Sequence, residues 1–291
     1  MIDFRRALVT GGAGMVGQAL PFGIKPSRDQ LDVTDPAATE RYCANIEPSA
    51  IICLSSINLH ACEREPIEAY HVNVFGAATL AKEARRRDIP LVIVSTGAVF
   101  NGPSGSSFDE DATPSPVNLY GQTKWLSEEV VRRLTDKHLI LRTGWLFGRS
   151  GPHRMNLVDQ AYAAAQCGRP VEANVDQEGS PTYVRDFVET LENLLDDGRF
   201  GLFHVVNANR ACAAEIADEV SRLTNDRLLV QRRKAHEIDS SGVRRSASEV
   251  LTSRWLFLRP WKEALASYVE ERLKQADRIW FTSASAPHHQ Q

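Results

Sequence analysis

An α/β fold, with a doubly wound parallel sheet of the Rossmann type and a smaller, mostly C-terminal substrate-binding domain, is what this sequence predicts. Three observations point to it. Apolar runs of strand length alternate with helical patterns through the first two thirds of the chain, the sign of βαβ units. The first run leads directly into the glycine-rich string Thr10-Gly11-Gly12-Ala13-Gly14-Met15-Val16-Gly17. The 291 residues, 43% hydrophobic and 24% charged, are enough to bury a core without disulfides or metal.

The elements follow in order. Ala7-Leu8-Val9 reads as a short buried strand, and the glycine loop behind it opens a short helix. Ile51-Ile52-Cys53-Leu54 is the next strand. An amphipathic helix runs from about Glu65 to Arg87, with Val72, Phe75, Ala78 and Leu80 mostly on one face and three arginines at an end that favours cations. Leu91-Val92-Ile93-Val94 is a third strand. The stretch Gly102 to Pro116 is too rich in Gly, Pro and Ser for a regular element, and a long loop inside a compact domain is usually functional. A helix begins near Tyr120, and Leu139-Ile140-Leu141 is a fourth strand. From about Gly151 the alternation weakens into a helix (Asn156 to Ala165), a loop (Asp176 to Thr182), a helix (Arg185 to Leu195) and a strand (Phe203 to Val206). Ala211 to Lys274 reads as helices around one extended stretch. The expected division is 1–150 plus about 183–210 for a dinucleotide-binding domain and about 151–182 plus 211–275 for a substrate-binding domain. Residues 282–291 form a polar tail expected to be disordered.

Composition excludes several functions. With 34 Lys+Arg against 37 Asp+Glu, a net charge of −3 provides no global field for nucleic acid or an anionic membrane. The five cysteines lack a CxxC pair and the eight histidines an HExxH, so neither a disulfide framework nor a metal site is expected. No apolar run approaches the ~20 residues that span a bilayer. The N-terminus passes straight into a strand without a signal peptide, and a cytoplasmic location follows as the expectation.

The glycine loop is the first chemical signal. Gly11, Gly14 and Gly17, between strand and helix, allow a tight turn, backbone approach to a pyrophosphate and close helix packing. The helix N-terminus adds N–H donors for the anion. Such folds usually carry an acidic residue at the end of the second strand for the NAD ribose. Here the corresponding stretch is Phe22-Gly23-Ile24-Lys25-Pro26-Ser27-Arg28. Ser27 and Arg28 suit a 2′-phosphate that a carboxylate would repel, which favours NADP(H) over NAD(H).

The second signal is Tyr120-Gly121-Gln122-Thr123-Lys124. One helical turn separates the two side chains, so phenol and ammonium share a face. A nearby cation favours the phenolate, and such a tyrosine can exchange a proton with a carbonyl or alcohol oxygen. Ser95-Thr96 ends the preceding strand, at the carboxyl edge where open α/β sheets bind ligands.

Taken together these strings resemble the extended short-chain dehydrogenase/reductases. Asn73-Val74-Phe75-Gly76 fits that branch as well. Ser95 to Gly102, Ser115 to Lys124, Leu141-Arg142-Thr143-Gly144-Trp145-Leu146-Phe147-Gly148 and Asp176 to Thr182, in that order, are similar to the dTDP-4-dehydrorhamnose reductase family from about residue 5 to 210. The likeness continues more weakly to about 270. It implies NADPH-dependent reduction of a 4-keto nucleotide deoxysugar, with a nucleotide sugar as substrate; the sequence does not state the oligomer, and a homodimer is one assembly open to it. By that resemblance Thr96, Tyr120 and Lys124 are catalytic: Tyr120 the proton donor, Lys124 the residue that orients the nicotinamide ribose and lowers the phenol pKa. Thr96, Trp145, Asn156 and Gln177 would contact substrate. Gly11, Gly14, Met15, Val16, Gly17, Ser27, Arg28, Asp32, Val33 and Ser55, with Tyr120 and Lys124, would hold the cofactor. One departure stands out: Gly97-Ala98 follows Thr96 where the family usually has Asp-Tyr. A sugar-nucleotide epimerase and a non-catalytic NADP-binding regulatory subunit are the alternatives. Arg232-Arg233-Lys234 and Arg244-Arg245 could grip a diphosphate, each weighed against a solvated surface.

Overall fold

The structure, a computed structural model, describes residues 2–149, 155–225 and 228–284, with side chains as far as residue 274. Its centre is a five-stranded sheet in which every pairing is parallel. In chain order the elements up to its fourth strand are β1 (Leu8–Thr10), α1 (Met15–Ala19), α2 (Pro36–Ile46), β2 (Ile51–Cys53), α3 (Leu59–Arg64), α4 (Pro66–Tyr70), α5 (Ala77–Arg87), β3 (Leu91–Thr96), α6 (Leu119–Leu134) and β4 (His138–Thr143). The rest comprises β5 (Leu146–Phe147), α7 (Leu157–Cys167), β6 (Val171–Asn174), β7 (Glu178–Gly179), β8 (Thr182–Tyr183), α8 (Val184–Asp196), β9 (Gly201–His204), β10 (Ala211–Cys212), α9 (Ala213–Leu223), β11 (Val230–Arg233), α10 (Ala235–Ile238) and α11 (Trp261–Ala284).

The sheet order is β1-β2-β3-β4-β9. On the free side of β1, Ile24 makes a single parallel bridge to Leu8. The chain therefore crosses from one side of β1 to the other between Ile24 and Ile51, leaving a crevice at the strand ends where open α/β sheets bind ligands.

Both faces of the sheet are covered, and the strands read as unbroken apolar runs for that reason. Val9, Ile52, Val92 and Leu139 share one core with Phe187 and Leu191 of α8 and Val220 of α9. Their neighbours Leu8, Ile51, Leu91 and Ile140 face the other way, onto Leu80, Ala81 and Ala84 of α5 and Val131 of α6. Period-two alternation is present in the strands but hidden, because neither face meets water.

Three expectations need correction. The helix expected from Glu65 to Arg87 is α4, a π-helical stretch over His71–Gly76 and α5 in series. The widened turn accompanies buried Asn73, whose Nδ2 donates to Thr123 Oγ1 at 2.9 Å and whose Oδ1 accepts from Ile57 N at 2.8 Å. The loop expected over Asp176 to Thr182 contains β7 and leads into β8, each pairing elsewhere in the chain. Helix α11 continues to Ala284, past the expected start of the tail at 282. Residues 285–291 and the proposed domain boundary at 150–151 lie outside the described residues. Among the described residues no helix is long and apolar enough to cross a membrane.

Candidate active site

A cavity of about 490 Å³ opens at the carboxyl edge of the sheet. Its lining gathers residues from distant parts of the chain: Gly11, Gly14, Met15, Val16 and Gly17 from the glycine loop, Thr96 from the end of β3, Tyr120 and Lys124 from α6, and Trp145 and Gln177 beyond them.

The loop is held where only glycine fits. Gly11 has φ +69°, and a Cβ there would stand 2.6 Å from the Leu54 carbonyl carbon, so a side chain would be strained and also clash. A Cβ at Gly17 would meet the Gly12 Cα at 2.5 Å, which lets α1 sit directly against the loop. Helix α1 has only 5 residues, so a macrodipole contribution to anion binding is smaller than the sequence reading implies; the loop N–H groups carry more of it. This cradle fits a dinucleotide pyrophosphate.

Helix α6 starts because Asn118 caps it, Oδ1 accepting from Gly121 N at 2.8 Å. Its Nδ2 donates to the Arg244 carbonyl at 3.0 Å, tying the helix start to the far end of the chain. Tyr120, Lys124 and Glu128 follow at four-residue steps and form one stripe. Glu128 is fully buried and anchors that stripe. It accepts Nε and Nη of Arg142 at 3.0 and 2.6 Å and also the Ser95 hydroxyl. Arg142, 1% exposed, lies 5.0 Å from the Phe100 ring centroid. Since β3 and β4 carry Ser95 and Arg142, the network fixes the rotation of α6 against the sheet.

The electrostatics differ from the expectation at one point. Burial pushes the Tyr120 phenol up to about 12, opposed by a hydrogen bond with the Thr96 hydroxyl and reinforced by the Glu249 carboxylate. Burial lowers the pKa of Lys124, against the counteracting influence of Cys53 and Glu128.

Other nominated residues sit elsewhere. Arg28 is exposed and pairs with Glu68 at 2.9 Å. Lys25 donates to the Leu20 carbonyl at 2.6 Å and lies over Gly12. Asp32 accepts from the amide and hydroxyl of Thr34 at 2.9 and 2.7 Å, Val33 is buried against Gly76, and the Ser27 amide donates to Gln30 at 2.9 Å. Ser55, with its amide against Gly11, and these five residues are outside the cavity lining. Asn156 is also outside it: Oδ1 caps α7 through Asp159 N, and Nδ2 donates to the Gly148 carbonyl at 2.9 Å. Of the two basic clusters only Arg245 reaches the cavity; Arg232 and Arg233 pair with Asp218 and Glu172.

Sequence reasoning missed a wall of the cavity. Ser246 and Glu249 join Arg245 there, and Glu249 accepts from the Trp145 indole Nε1 at 2.6 Å. No local pattern marks these residues. Asn118 was discoverable, as an Asn immediately before a helix.

A doubly wound sheet, a glycine loop at its switch point and a Thr96/Tyr120/Lys124 cluster over the strand ends define an extended short-chain dehydrogenase/reductase. Comparison with known proteins carries this further. Residues 5–274 match the family model of the RmlD substrate binding domain, and the chain belongs to that family. A dTDP-4-keto-6-deoxy-D-glucose reductase of Streptomyces niveus is 35% identical over 228 residues, covering 75% of this chain and 78% of that protein. The dTDP-4-dehydrorhamnose reductase of Streptomyces griseus is 30% identical and covers 89% and 91%. A crystal structure of dTDP-4-dehydrorhamnose reductase from Bacillus anthracis in complex with NADP is similar with a TM-score of 0.86 and 26% identity, covering 92% of this chain and 99% of that one.

Proposed function

We propose that this protein is an NADPH-dependent reductase of a 4-keto deoxysugar carried on dTDP. The carrying observation is that Thr96, Tyr120 and Lys124 line one cavity together with the glycine loop. Family membership and the NADP complex of the Bacillus anthracis protein support the cofactor and the substrate class.

NADPH, when bound, brings the hydride for the ketone carbon. Gly11, Gly14 and Gly17 would receive its pyrophosphate. Arg28 would turn from Glu68 to a 2′-phosphate, an exchange that costs little because an exposed ion pair contributes only ~0–1 kcal/mol. At the reacting end Thr96 and Tyr120 hold the ketone oxygen. The Tyr120 phenol, kept protonated by its raised pKa, is the proton donor. The Thr96 hydroxyl and the Lys124 ammonium then stabilise the phenolate left behind. Helix α6 meets these needs only in one rotation, which the Glu128–Arg142 pair holds.

The test is NADPH consumption at 340 nm with dTDP-4-dehydrorhamnose and with dTDP-4-keto-6-deoxy-D-glucose. Turnover of either supports the reading. Binding of NADPH without turnover of either overturns it, and leaves a cofactor-binding regulatory subunit as the answer.

A further inference from the structure

Resting on the reading of the cavity as a keto-sugar nucleotide site, we propose that Glu249 is a specificity residue whose carboxyl group, oriented by the Trp145 indole, binds a hydroxyl of the sugar ring. Glu249 lines the cavity with Thr96, Tyr120 and Trp145. Its Oε1 accepts from Trp145 Nε1 at 2.6 Å, and among the described residues no hydrogen bond reaches its second oxygen. That oxygen is the group available to a ligand.

The position is rigid although it lies in an irregular stretch. Ser248 N donates to the Gly102 carbonyl at 3.0 Å, Glu249 N to the Glu178 carbonyl at 3.0 Å, and Leu251 N to Ser180 Oγ at 2.9 Å. A side chain held this way loses little freedom on binding. Gly97 makes the approach possible, since a Cβ there would stand 2.6 Å from the Glu249 carbonyl oxygen. The residue directly after Thr96 therefore contributes no side chain to this corner, and the acid arrives from a segment far along the chain.

The chemistry selects the occupant. A carboxylate repels phosphate, so the diphosphate belongs nearer Arg245, also on the cavity wall. Burial raises the Glu249 pKa, which brings the neutral acid closer to the working range. A carboxylic acid both donates and accepts, as a sugar hydroxyl does.

The experiment is calorimetric binding of dTDP-rhamnose and of dTDP to the wild type, Glu249→Gln and Glu249→Ala, with turnover of the keto sugars measured in parallel. The expected result for Glu249→Ala is about a tenfold loss for dTDP-rhamnose with dTDP within about twofold of wild type, the size of one hydrogen bond. Glu249→Gln keeps an acceptor for the indole and a group for the hydroxyl, and should stay within about threefold. Gly97→Ala, which pushes Glu249 away, should reproduce the selective loss. Equal loss for both ligands, no loss for either, or a wild type that binds the two equally overturns the proposal. A wild type that prefers dTDP-rhamnose in this Glu249-dependent way, yet turns over no keto sugar, overturns the reductase reading and leaves the sugar contact standing.

Discussion

Gly11, Gly14 and Gly17 line one side of the cavity from a single loop, whereas Arg245, Ser246 and Glu249 line the other from an extended segment laced to residues 102–108 and 178–180. The first wall is built from neighbours in sequence. Its geometry follows from glycine spacing and one tight turn, and it would be recognisable in isolation. The second depends on contacts such as Gly102 N to Ser246 Oγ at 3.0 Å, between residues 144 apart in the chain. On the proposed reading, cofactor handling rests on local rules and substrate choice on long-range packing.

The contrast can be broken most sharply at the boundary between the walls. Tyr120→Phe should lower turnover by roughly 10²–10⁴-fold, the usual contribution of a general acid, while NADPH affinity measured by fluorescence is nearly unchanged. Full activity in that variant would assign the proton to another group. In the wild type, ultraviolet titration compared with Tyr120→Phe should show this phenol still protonated above the ordinary tyrosine value of about 10, because burial raises it.

Next in size is the scaffold beneath both walls. Glu128→Ala leaves the Arg142 guanidinium buried without its partner, and should cost about 3–5 kcal/mol of stability in urea unfolding. A loss under about 1 kcal/mol would mean the pair does not hold α6. Arg28→Ala tests the cofactor wall alone. It should weaken NADPH by about one to two decades, from ~1.5–3 kcal/mol of charge-assisted contact, and leave NADH unaffected. Equal weakening of the two would show that Arg28 does not read the 2′-phosphate.

The smallest effect is a gain. Burial lowers the Lys124 pKa relative to the unfolded chain, so folding disfavours the bound proton. The sign follows: the penalty is full below the folded pKa and is relieved as pH rises toward the unfolded value. Lys124→Met should abolish most activity yet stabilise the fold at neutral pH, by on the order of 1 kcal/mol. The advantage should shrink as pH rises. A variant less stable than wild type at neutral pH would assign Lys124 a structural role.

By itself the sequence determined the alternating α/β plan, the glycine loop, and the shared face of Tyr120 and Lys124. Each depends on spacing along the chain, and strand and helix periods turn spacing into geometry. Thr96 was legible for the same reason, as the residue that ends β3. Tertiary structure alone decided the rest. Arg28, between α1 and α2, meets Glu68 of α4, and Asn156 closes a helix end instead of facing the cavity. The Tyr120 phenol is raised because burial acts on it, reinforced by a Glu249 carboxylate brought in from far along the chain. Glu249 reaches the cavity only through the backbone ladder between residues 246–251 and two other loops. Pairings of that kind are fixed by mutual packing of distant segments, and no periodicity in either segment records its partner.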